Sequence, residues 1–188
     1  MLRGVKRFIK ANNFPWVTFV KYWKNSSRSE LIVDVLVPFI ISSLLLLFTS
    51  EYVTNFKDLI DKFQQLSGQV IAAISILAGF NIASITIIST AGNSMERLRN
   101  TRSSPGALSI YEILIVFFTW AVIIQLIVVL ISILLFYVGS LVPLKFSSIL
   151  IPTWGWISAI LWLTITIHSV FISIRNMKTL YHYVTYNP

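Results

Sequence analysis

The stretch Gly68–Thr90, GQVIAAISILAGFNIASITIIST, holds no charged residue and is long and apolar enough to cross a bilayer. A helix that only had to sit among lipid tails could be leucine throughout. This one is crowded with alanine, serine, glycine and threonine, and Asn81 stands at its centre. Ala72, Ser75, Gly79, Ala83, Thr86 and Thr90 recur at intervals of three and four residues, which places all six on one narrow helical stripe. Lipid supplies no hydrophobic drive between helices, so small side chains that let two backbones approach are the usual means of packing there. The stripe therefore predicts a contact face, against another span or against a second copy of the chain. Asn81 points nearly opposite it, on the side of Ser84, which predicts a second packed face and argues for a homo-oligomer.

Outward from this stretch, three more apolar runs predict helices that cross the membrane. The spans are expected at about 31–49, 70–90, 109–138 and 148–174, giving an all-α membrane protein of four transmembrane helices. The third run is longer than the roughly 30 Å hydrocarbon core requires, so it is expected to tilt or protrude. Period-two alternation is absent, which excludes a β-barrel reading. Composition agrees: 56% of the 188 residues are hydrophobic and 12% charged, against about 45–50% and about 25% in soluble domains. Mean hydropathy is +0.79.

The net charge is +8. Twelve of the 15 Lys and Arg residues lie before the first span, between the second and third, or after the fourth; Lys57, Lys62 and Lys145 lie on the other side. The positive-inside rule then puts both termini in the cytoplasm of a multi-pass protein of the bacterial inner (plasma) membrane. Anionic headgroups account for the basic residues without nucleic acid, so membrane lipid is the expected partner of that surface. The basic N-terminus lacks an adjacent apolar core and a small-residue cleavage pattern, so the first span is not read as a cleavable signal.

Three segments lie outside the spans. Residues 1–30 are basic and aromatic, with Lys6, Arg7 and Lys10 followed by Phe14, Trp16, Phe19, Tyr22 and Trp23; they read as an interfacial helix, an anchor or a docking face for a cytosolic protein. Phe56, Leu59, Ile60, Phe63 and Leu66 fall at helical spacing and predict a short amphipathic helix on the outer surface. The loop between spans two and three carries Arg97, Arg99 and Arg102, then the turn chemistry of Ser103–Gly106. These arginines serve orientation, or bind the acidic face of a partner. Residues 175–188 are expected as a cytoplasmic tail.

Within the membrane the polar residues are Asn81, Gln125 and Thr164, each near mid-span. They are expected to face inward and pair, either as structural glue or as a polar ring in an oligomeric pore. Asp34 and Glu112 lie at cytoplasmic span ends, within reach of Arg97, Arg99, Arg102 or Arg175; His168 lies inward of Arg175, and Pro38 is placed to kink span one. With no cysteine, two histidines and no nucleophile, P-loop, zincin or dinucleotide motif, no enzyme, metal or cofactor chemistry is expected.

The pattern ISILAGFNIASITIISTAGNSMERLRNTR followed by a long third span, with a basic aromatic N-terminus and short loops, resembles the membrane subunit of the Kiwa anti-phage defence system, the KwaA family. That resemblance covers the chain as architecture. It implies an oligomeric membrane sensor that recruits a cytosolic partner subunit. A pore-forming effector that depolarises the cell is the competing reading of the same residues.

Overall fold

In the computed structural model the described residues are 12–91, 96–102, 104, 106–143 and 147–185, without the side chains of 97, 183 and 184. They form α1 (Phe14–Asn25), α2 (Arg28–Ser50), α3 (Phe56–Thr90), α4 (Glu96–Asn100), α5 (Ile110–Leu141) and α6 (Thr153–Thr185). Helices α2, α3, α5 and α6 are each long and apolar enough to cross a membrane.

The starts of these helices are written in the sequence. Ser27-Arg28-Ser29-Glu30 and Ser109-Ile110-Tyr111-Glu112 are capping boxes: each serine hydroxyl accepts from the glutamate N–H, and each glutamate carboxylate accepts from the serine N–H. Glu112 is thus occupied at the entry to α5, with Arg102 4.0 Å away. Asn55 caps α3 by accepting from the Asp58 N–H. Gly106, at φ +83°, supplies the left-handed turn between Arg102 and α5.

Helices α3 and α5 pack along most of their length, α5 also packs on α6, and α2 lies against α6. Helix α1 lies across the Glu112 end of α5. The core has three levels. Ile88, Leu114 and Phe118 occupy one end; Tyr22, Phe117, Trp120, Ala121, Ile124 and Ile172 come next; Val70, Ile74, Val128 and Trp162 lie deeper.

One expected element is corrected. The outer amphipathic segment is no separate helix: α3 runs unbroken from Phe56 to Thr90. A lone glycine costs a helix only about 1 kcal/mol, and Gly68 sits against Phe136 of the long helix α5, which rewards continuity. Gly139 in turn meets Gln64 so closely that a Cβ there would stand 3.2 Å from the Gln64 Cβ. Helix α6 continues to Thr185, so residues 175–185 prolong the fourth spanning helix. Nothing between Ile174 and Thr185 breaks it: there is no glycine or proline, and Asn176 is pinned to the Phe117 carbonyl at 3.1 Å.

Candidate functional site

Two buried polar clusters hold the helices together. In the first, Asn81 on α3 donates to Gln125 Oε1 on α5 at 3.0 Å and to Ser173 Oγ on α6 at 2.9 Å. Gln125 Nε2 donates to the same hydroxyl at 2.7 Å, and that hydroxyl donates in turn to the Ser169 carbonyl. All three side chains are fully buried. An amide facing hydrocarbon is costly, so each amide is drawn to the seam where the other helices meet. The expected Asn81–Gln125 pair is present. Thr164 is not its third member: its hydroxyl is buried with no hydrogen-bond partner, and Ser173, nine residues on, fills that place.

The small-residue stripe turns out on the opposite side of α3 from its partners. Ala72, Ser75, Gly79, Ala83, Thr86 and Thr90 are all exposed, and a Cβ on Gly79 would meet nothing within 4 Å. The buried face of α3 is Ser67, Val70, Ile74, Ala78, Asn81, Ser84 and Ile88. The reason is polarity. Thr86 and Thr90 satisfy their hydroxyls on carbonyls of their own helix, at 3.1 and 2.9 Å, so they can face out; Asn81 cannot. Helix α6 carries its own inward stripe: Ala159, Trp162, Thr166, Ser169, Ser173 and Asn176 are all buried, at alternating intervals of three and four residues. That heptad spacing is legible in the sequence, where the bulky Trp162 disguises it.

The second cluster centres on Asp34. Pro38 has no N–H, so the Asp34 carbonyl four residues earlier loses its helical donor, and the proline ring presses against it. The helix widens into a π segment over Ile32–Leu36, in which the Val37 N–H reaches back to the Ile32 carbonyl. His168 Nδ1 on α6 then donates to the freed Asp34 carbonyl, which fixes the proton on that nitrogen. The same widening aims the fully buried Asp34 carboxylate at Arg175 Nη1, 2.5 Å away. Tyr22 on α1 donates to the same Oδ2 at 2.7 Å. The guanidinium carbon lies 5.1 Å from the centre of the Tyr22 ring and 4.6 Å from that of Phe117. Burial holds the Tyr22 hydroxyl far above the ordinary tyrosine range; Asp34 adds to the rise and Arg175 opposes it, so Tyr22 remains a donor. Of the four arginines expected near Asp34, the structure selects Arg175.

On the arginine loop, Arg99 is exposed with its guanidinium 4.8 Å from the Tyr111 ring centre. Arg102 is partly used at home: it donates to the Ala107 carbonyl at 3.1 Å and approaches Glu112. The Arg97 side chain, and Lys6, Arg7 and Lys10, lie outside what the structure describes. On α1, Thr18 and Tyr22 are buried, while Phe14, Trp16 and Trp23 are exposed. At the far end, Phe56, Phe63, Trp154 and Trp162 line an apolar cavity of about 200 Å³ between α3, α5 and α6.

Among the described residues no group of three His, Asp or Glu side chains is placed to hold a metal ion. Four apolar helices of spanning length around interior amides and a buried ion pair define the class, a multi-pass helical membrane protein. No family model, curated protein or solved structure matches the chain.

Proposed function

We propose that the protein is a non-enzymatic sensor or scaffold of the bacterial inner membrane, with both termini cytoplasmic. In this reading it assembles as a symmetric homo-oligomer and recruits a cytosolic partner with an acidic face, in anti-phage defence. The observation that carries this reading is the posture of α1. It is fastened to the spanning domain through Thr18 and Tyr22, and it turns Phe14, Trp16 and Trp23 outward beside exposed Lys21 and Lys24. Aromatic side chains flanked by cations suit the hot spots of a protein interface. Arg99 stands exposed on the loop that leads to α5, the helix α1 lies against.

The alternative, a pore that depolarises the cell, needs the intramembrane amides on a shared axis. The Asn81 and Gln125 amide N–H groups instead donate to Gln125 and Ser173 within one chain, which favours the scaffold. Homo-oligomerisation is supported by the outward stripe of α3, whose small side chains leave room for a second backbone.

Charge reversal of the loop, Arg97→Glu with Arg99→Glu, tests the recruitment. The expected outcome is loss of a co-purifying cytosolic protein from membranes, with insertion and oligomer size unchanged. Retention of the same partner by the reversed variant would refute this surface as the docking site.

A further inference from the structure

A buried ion pair that served only to hold two helices together would be better replaced by apolar side chains, or would have all its donors and acceptors matched. The Asp34–Arg175 pair has neither property. Asp34 Oδ1 and the Nε and Nη2 of Arg175 are buried without hydrogen-bond partners, although the Asp34 side chain is 0% exposed and that of Arg175 only 11%. Much of what does satisfy the pair comes from α1, since Tyr22 supplies both a hydroxyl to Asp34 Oδ2 and a ring face to the guanidinium.

We propose that α1 is a detachable element, latched onto the spanning domain by Tyr22, and that the Asp34–Arg175 pair is a switchable catch responding to the packing of α6. Four further features support this. Helix α1 joins α2 through Ser26 and Ser27 alone, and Ser26 is extended. The capping box of α2 begins at Ser27, so α1 can swing about Ser26 without uncapping α2. The released helix has a second resting place: its aromatic and basic residues suit the headgroup layer of a bilayer. Finally, Arg175 stands two residues from Ser173, which ties α6 to Asn81 and Gln125, and next to Asn176, which is bonded to the Phe117 carbonyl. A shift of α3 and α5 against α6 would therefore carry the guanidinium with it, and α1 would feel a change made inside the membrane.

The chain contains no cysteine, so a single introduced thiol reports local opening without background. Thr18→Cys places one on the docked face of α1, at a site 5% exposed. Its labelling by a hydrophilic maleimide is followed in opened membrane vesicles containing the full chain. Tyr22→Phe keeps the ring and removes the hydroxyl, and should speed labelling about tenfold or more, the weight of a hydrogen bond to a charged group. Ser132→Cys, in the fully buried core, serves as the second site and should remain protected when combined with Tyr22→Phe. Ser173→Ala, which removes a group outside α1 and outside the ion pair, should change the labelling rate of Thr18→Cys several-fold. If Tyr22→Phe leaves that rate unchanged, the latch is overturned. Equal opening at the core thiol of Ser132→Cys overturns the idea that α1 moves alone. A Ser173→Ala rate matching the parent reduces the contact to a fixed fastener and overturns the switch.

Discussion

At the scale of residues, Pro38 shows how a local rule is broken to build a site. A proline inside a helix normally costs about 3 kcal/mol relative to alanine, so propensity alone would have Pro38→Ala stabilise the protein. Here the freed Asp34 carbonyl is taken by His168, and the widened turn aligns Asp34 with Tyr22 and Arg175. Pro38→Ala should therefore lower the thermal midpoint in detergent; a rise of several degrees would contradict the account of the π segment. The amide cluster allows a second measurement. Asn81→Ala and Gln125→Ala should each destabilise, and the double variant should fall short of their sum by roughly 0.6–2 kcal/mol, the range of interhelical bonds in membranes. Strict additivity would mean that the two amides do not interact. The pairing of Asn81 with Gln125 could be read from depth alone, because buried amides must find each other. Ser173 could not: a serine that bonds its own helix looks the same whether or not it also receives two amides.

Among the elements, α3 separates what periodicity determines from what it leaves open. Its two faces were legible, and so was their opposition across the helix. The pairing of Asn81 with Gln125 turns one face toward α5; whether the small stripe meets a further span of the same chain was not legible, because small residues permit contact without requiring it. The exposed stripe now makes a cleaner test of assembly than a core position would. Gly79→Leu adds a side chain into open space within one chain, so the folded protomer should survive with an unchanged far-ultraviolet spectrum while the oligomer dissociates in size-exclusion chromatography. Ile82→Leu, at an exposed site that keeps its volume, should leave the oligomer intact. Persistence of the parent oligomer in Gly79→Leu would remove the stripe as an interface. The merging of the outer segment into α3, and of residues 175–185 into α6, escaped the sequence because hydropathy marks where lipid ends and not where a helix ends. Packing of α3 along the long α5 decided the first, and Asn176 on Phe117 helped decide the second.

For the whole molecule, four helices of spanning length were visible as four apolar runs, since little else can be made of such runs in water. Their arrangement, with α2 against α6 and α3 against α5, depends on where a few polar side chains find partners. The charge asymmetry predicts an orientation: reporter fusions at residue 12 and after residue 188 should both give cytoplasmic signals, and a periplasmic signal from either would refute it. In the proposed scaffold the intramembrane amides pair within each chain, and the protein acts through its basic aromatic surface rather than by conducting ions. The membrane potential of cells making this chain alone, followed with a potential-sensitive dye, separates a scaffold from a pore. A scaffold should leave the potential equal to that of cells carrying the empty vector, including after Asn81→Ala or Gln125→Ala; depolarisation by the unaltered chain, relieved by either substitution, would refute the scaffold and establish the pore.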